Sequence, residues 1–208
     1  MKMYPIVEGH GEVAAAPVLL RRLLVKASCH HIGVVRPIRR TQSQFRSKEG
    51  IQNGVRLAFL QPECAAVVIL FDGEDDCPKE LGEQIRAWAQ EAAAGKPCDV
   101  VVAYREYETW FLAALESLRG LYGISPNAIA SANAESRRGA KEALEEFMPS
   151  DRAYSETGDQ PGMSNRFDMQ AAHQRNRSFR KLVKTIGDLL VQLNHPLPTW
   201  PPASWQPQ

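Results

Sequence analysis

The run Ala65-Ala66-Val67-Val68-Ile69-Leu70-Phe71 carries no polar side chain and is rich in β-branched residues. A strand of this kind has no face to offer to water, so it needs cover on both sides, as in the middle of a parallel sheet. Asp72-Gly73 ends it. Whatever else the chain does, it must supply strands beside this one and helices above and below it.

The flanking sequence offers both. Met3 to Val7 reads as a first strand stopped by Glu8-Gly9-His10-Gly11, and Ala14 to Lys26 as a helix with Pro17 in its first turn. Val34 to Ile38 reads as a second strand. Ser47 to Leu60 follows as a helix with Ile51, Val55, Ala58 and Phe59 on one face. Pro78 opens a further helix that Gly95 closes, with Leu81, Ile85, Trp88, Ala89 and Ala92 at helical spacing. Val100 to Tyr104 predicts another buried strand, and Trp110 to Leu118 an aromatic-rich helix. Alternating strands and helices predict an α/β fold, a wound, mainly parallel sheet flanked by helices, over residues 1–118. Residues 119–195 read as a helical extension packing on that core, with a loop from Tyr154 to Asn165. Its last helix spans Phe179 to Leu193 and carries one apolar stripe. Residues 196–208 hold five prolines and read as a flexible tail.

The net charge of +1 excludes a protein that coats nucleic acid by bulk charge, but local charge is uneven. Arg36, Arg39, Arg40, Arg46, Lys48 and Arg56 are accompanied only by Glu49. Glu63, Asp72, Glu74, Asp75, Asp76, Glu80 and Glu83 are accompanied only by Lys79. The two segments read either as complementary solvated faces or as a phosphate-guiding strip beside an acidic pocket. Cys29, Cys64, Cys77 and Cys98 contain no Cys-x-x-Cys pair, so neither a zinc signature nor a disulfide framework is expected. Cys29-His30-His31 lacks a second ligand pair at zinc spacing and reads as a helix end. No apolar run reaches the roughly 20 residues of a membrane span, and no signal peptide is read at the start, so a cytoplasmic protein without membrane partners is expected.

In an open parallel sheet, ligands bind beyond the carboxyl ends of the strands. Glu8 and Glu12 follow the first strand, Asp72, Glu74, Asp75 and Asp76 the third, and Glu106 and Glu108 the fourth. Each cluster alone also reads as a helix-start decoration, a loop cap or exposed strand positions. Together they would repel one another unless a cation sits among them. Oxygen donors favour a hard divalent ion, Mg²⁺ or Mn²⁺.

The same residues carry a family likeness. Ile6-Val7-Glu8-Gly9-His10-Gly11-Glu12, Leu70-Phe71-Asp72-Gly73-Glu74-Asp75-Asp76, Arg105-Glu106-Tyr107-Glu108-Thr109-Trp110-Phe111 and Arg177-Ser178-Phe179 resemble the DUF4276 group of Toprim-like proteins. That resemblance implies a compact parallel sheet with Glu8 as acid/base or metal-binding glutamate and Asp72 as a metal ligand. Glu74 would hold the second aspartate position of the Toprim pattern, with Asp76 as its alternative. Glu108 stands where overcoming-lysogenization-defect-type nucleases place extra acids. The resemblance implies a nuclease, with DNA favoured over RNA, working beside an ABC- or SMC-type ATPase in phage defence. No Gly-x-x-x-x-Gly-Lys-Ser/Thr loop is present, so ATP use would fall to the partner.

Nucleases of this type also need a cation near the scissile phosphate. Arg175, Arg177, Arg180 and Lys181 cluster at the start of the last helix, with Arg177 and Lys181 as candidates; the alternative is the wet face of that helix. Arg36, Arg39, Arg40, Arg46 and Lys48 are the candidate nucleic-acid contacts. A second hypothesis is a non-catalytic metal-binding subunit that docks on an ATPase through Trp110-Phe111, Trp200 and Trp205. A third is phosphoryl or nucleotidyl transfer to a small substrate. A homodimer is a further candidate assembly.

Overall fold

The computed structural model describes residues 1–132 and 134–206; Pro207 and Gln208, the end of the expected tail, lie outside the described residues. The apolar run forms β4 (Cys64–Asp72), in which Val67 to Phe71 are at most 1 % exposed. Burying side chains of this size is worth about 2 kcal/mol each. On one side of β4 lies β1 (Lys2–Val7), on the other β5 (Cys98–Ala103), and all pairings are parallel. The outer neighbour of β1 is split: β2 (Gly33–Val34) pairs with its start and β3 (Ile38–Arg39) with its end. The expected continuous strand is interrupted because Pro37, without an N–H, cannot extend the ladder. The order is β2-β1-β4-β5, with β3 also on β1.

Alternate residues face opposite layers. Tyr4, Ile6, Val67, Ile69, Phe71, Val100 and Val102 form one core with Phe45, Ile51, Val55, Ile85 and Ala89. These come from α2 (Gln42–Phe45), α3 (Lys48–Phe59) and α4 (Pro78–Ala93). Met3, Val7, Ala66, Val68, Leu70, Val101 and Ala103 face the other core. It is built from α1 (Glu12–Lys26), α5 (Thr109–Ala113) and the C-terminal helices α6 (Ala140–Glu145), α7 (Asp159–Arg166), α8 (Met169–Arg175) and α9 (Arg177–Gln192). Asn176 caps α9 by accepting the N–H of Phe179 at 2.9 Å.

Several expectations need correction. Helix α1 begins at Glu12, so Pro17 lies inside it rather than in its first turn. The segment read as a loop from Tyr154 to Asn165 contains α7; Pro161 sits at its third residue, where a missing N–H costs nothing. The aromatic helix ends at Ala113 and continues as a 3₁₀ turn, Leu115–Leu118. Over its described residues, 196–206, the proline-rich segment packs on the fold through its tryptophans. Trp200 Nε1 donates to the Val183 carbonyl at 2.8 Å, and Trp205 is 3 % exposed. Trp110 and Phe111 are fully buried, so the aromatics proposed as docking contacts serve the core instead. No helix among the described residues is long and apolar enough to cross a membrane.

Candidate metal centre

The turn Glu8-Gly9-His10-Gly11 links β1 to α1, and Glu12 folds back over it. Its Oε2 accepts the N–H groups of Glu8 at 3.0 Å and Gly9 at 2.9 Å. Burial, opposed by these two bonds and reinforced by nearby Glu108 and Glu8, pushes the Glu12 carboxyl up to about 7. Gly11 is fixed by its neighbours: a Cβ there would lie 2.4 Å from Gln160 Oε1 and 2.5 Å from the Glu156 carbonyl oxygen. The second glycine of the motif therefore lets the 156–160 segment close over the turn.

Strand β4 ends at Asp72, whose Oδ1 accepts the N–H of Tyr107 at 2.8 Å. Burial first, then Glu12 and Glu108, raises the Asp72 carboxyl well above the ordinary range. Just beyond, the Glu74 N–H donates to the Arg105 carbonyl at 2.8 Å. Both residues have positive φ, +49° and +63°, although neither is glycine. Backbone of this kind costs about 1–3 kcal/mol and gathers at functional sites.

Glu108 enters from the loop between β5 and α5 and is fully buried. Its Oε1 accepts from the Tyr154 hydroxyl at 2.8 Å and from Gln160 Nε2 at 3.0 Å. Its Oε2 has no partner among the described residues. Burial, opposed by Lys141 and Tyr154, pushes this carboxyl up to about 7. Lys141, on α6, lies 2.6 Å from Glu156. Desolvation works against its charge, but Glu156, Glu108 and Asp72 together raise its pKa.

Glu8 occupies the rim, half-buried. Burial and then Glu74 raise its pKa, while Arg46 and Lys141 work against the rise. Glu74 accepts from Gln42 at 2.8 Å and lies 3.8 Å from Arg46, which also pairs with Asp76. Glu106 turns away to accept the Lys141 N–H at 3.2 Å. Glu12, Asp72 and Glu108 thus form the inner group, with Glu8 and Glu74 at its mouth. Among the described residues, no three carboxylates bring oxygens within 4.8 Å of one another. The donor set, all oxygen with one orphaned buried atom, is that of a hard ion, but at this spacing the three inner carboxylates do not all reach one ion directly, and water would complete its shell.

These motifs occupy one continuous stretch of related sequence: residues 7–187 match the family described as "Domain of unknown function (DUF4276)". The chain belongs to the DUF4276 family. No curated protein and no solved structure matches it.

In this DUF4276 protein the candidate cations are dispersed. Arg177 and Lys181 line a groove of about 940 Å³ along β5, together with Arg86 and the loop from Glu74 to Cys77. Lys181 lies 3.6 Å from Asp99. Arg39 reaches the Glu8 carbonyl at 3.4 Å, and Arg46 is held by the acidic loop. Lys48 pairs with Glu91 at 2.7 Å; Arg36 is exposed beside β2 and β3. Arg40 packs its Nε against Gly54, where that nitrogen is buried without a partner among the described residues. Sequence reasoning missed Lys141, Tyr154 and Gln160. They lie in a polar stretch without strong periodicity and meet Glu108 only through the tertiary fold.

Proposed function

We propose that the carboxyl edge of the sheet binds Mg²⁺ or Mn²⁺ and hydrolyses phosphodiester bonds of nucleic acid, DNA in preference to RNA. The observation that carries this is the Glu108 carboxylate, buried beside Asp72 and Glu12 with one oxygen unpartnered among the described residues. Asp72, Glu108 and Glu12 would hold the ion, in part through its own waters, and when bound it would supply an activated water and stabilise the leaving oxygen. Glu8, at the mouth with a raised pKa, is placed to take a proton from water. Lys141 offsets part of the acid charge, and Arg39 and Arg46 stand at the rim to position phosphate. The groove lined by Arg86, Arg177 and Lys181 offers the backbone a path away from the acids. The Toprim likeness extends the proposal to an ABC- or SMC-type ATPase partner and a role in phage defence.

The test is incubation of the purified protein with supercoiled plasmid, single-stranded DNA and RNA in Mg²⁺ or Mn²⁺, beside Asp72→Ala. Expected is metal-dependent cleavage reduced more than about 100-fold in the variant, beyond the 10–100-fold typical of losing an outer-shell partner. A metal-induced rise in Tm without cleavage would shift the reading to a metal-binding subunit. The absence of both cleavage and any metal-induced change in Tm would overturn it.

A further inference from the structure

The amino edge of the sheet brings together a second set of ligating side chains that shares no residue with the acids. Cys29, His31 and His195 place their ligand atoms within 4.8 Å of one another, the one His/Cys/Asp/Glu group of three or more that does so among the described residues. Two ligands come from one short stretch and the third from the far end of the chain. The Cys29 sulfur lies 3.9 Å from His31 Nδ1, and the His31 and His195 rings are 5.3 Å apart.

Two matching helix ends build the cluster. At the end of α1, Ser28 is left-handed (φ +54°), with Ser28 N–H donating to Val25 O and Cys29 N–H to Leu24 O. At the end of α9, Asn194 is left-handed (φ +58°), with Asn194 N–H donating to Val191 O and His195 N–H to Leu190 O. Both are Schellman caps, and Cys29 and His195 occupy the same position in each. The caps fix two ligand-bearing backbones in the same way, and helix C-termini favour a cation.

The surroundings also suit ligation. His195 Nε2 lies 2.9 Å from the Ala27 carbonyl. As the donor there, it leaves Nδ1 with its lone pair, the second-layer bond that ligating histidines commonly make. Burial raises the Cys29 thiol above its ordinary range, and the backbone N–H groups of Ile32 and His31, which face the sulfur, work against that rise. Tetrahedral zinc with bonds of about 2.3 Å to sulfur and 2.0–2.1 Å to nitrogen sets S···N near about 3.6 Å, so the 3.9 Å gap closes with a small side-chain movement.

We propose that Cys29, His31 and His195 form a site for a borderline-soft divalent ion, Zn²⁺ by the chemistry of one thiolate and two imidazoles. A water or an outside ligand completes the fourth position. Helix α1 has 15 residues, about 22 Å, and separates this site from Glu12 at its other end. The ion therefore ties the start of the C-terminal segment to α1 and takes no part in chemistry at the acids.

The deciding experiment titrates the full chain with Zn²⁺ against a chromophoric chelator, and with Co²⁺ while recording absorption. Expected is one equivalent bound, with a thiolate-to-cobalt charge-transfer band that Cys29→Ser abolishes. His31→Gln and His195→Gln should each weaken Zn²⁺ binding by more than about 100-fold. His31 is exposed, so its substitution leaves the core undisturbed. Asp72→Asn should retain both the affinity and the band. Full-affinity binding in Cys29→Ser or His31→Gln would overturn the proposal, as would no thiolate band in the wild type or loss of Zn²⁺ in Asp72→Asn.

Discussion

The two edges of one parallel sheet are built on opposite terms. At the carboxyl edge, Glu12, Asp72 and Glu108 are crowded where water cannot dilute their repulsion, and the backbone beside them is left-handed at Glu74 and Arg105. At the amino edge, two helices end in hydrogen-bonded Schellman caps, and the side chains that meet are a thiol and two imidazoles rather than carboxylates. The first arrangement costs stability without a cation; the second buries no like charges against one another. Left-handed backbone occurs at both edges, at Ser28 and Asn194 as well as at Glu74 and Arg105, but only the carboxyl edge adds buried like charges to it, the kind of perturbation that gathers at functional sites.

The largest test of this contrast is pH. Glu12 and Glu108 are raised from 4.5 to about 7, so between these values the native state holds protons that the unfolded chain has released. Metal-free stability should therefore be greatest below about pH 4.5 as far as these groups are concerned, and should fall as pH rises through 7. The loss is up to about 3 kcal/mol for each group, at 1.36 kcal/mol per unit. Urea unfolding in a chelator at about pH 5 and pH 7.5 reads the slope. Glu108→Gln should flatten it and Cys29→Ser should not; an unchanged slope in Glu108→Gln would place the acids elsewhere energetically.

A smaller effect is expected from Gly11→Ala. Its Cβ would collide with Gln160 and the Glu156 carbonyl, and overpacking of this kind costs about 2 kcal/mol. Thermal melting should show the loss together with a weaker response to Mg²⁺, while Zn²⁺ affinity stays at the wild-type value. Smallest is Arg46→Ala. The Arg46–Asp76 pair is exposed on both sides, so its loss should change stability by under about 1 kcal/mol. A larger drop in denaturant unfolding would mean that the rim holds the acidic loop more tightly than an exposed pair does.

The unequal legibility of the two edges follows from how each is encoded. Glu8, Asp72 and Glu108 could be read from the sequence because each lies within a few residues of an apolar run that ends there. The open question between Glu74 and Asp76 depended on the loop's path; the left-handed turn at Glu74 sends it toward Gln42 and Glu8, and Asp76 toward Arg46. Lys141 and Gln160 left no trace, since a polar side chain in a polar stretch looks solvated until a fold buries it. Helix α7 was hidden because Pro161-Gly162 reads as a break, yet proline is tolerated in a first turn. The amino edge was harder still: Cys29 and His31 are two residues apart in sequence, but their companion His195 is over 160 residues away.

The two layers of the sheet also differ in when the chain can complete them. The layer formed by Tyr4, Ile6, Val67 and Val102 with α3 and α4 draws only on residues up to Val102, whereas the opposite layer needs Phe179, Leu190 and Trp205. At a synthesis rate of about 5–20 residues per second, roughly 5–20 s separate the emergence of these two sets. For that interval the nascent chain holds a half-clad sheet, with Met3, Val68 and Val101 awaiting the last helix. Exposed apolar surface of this kind is prone to aggregate, and slow decoding of the stretch that encodes α6 to α9 would lengthen its exposure.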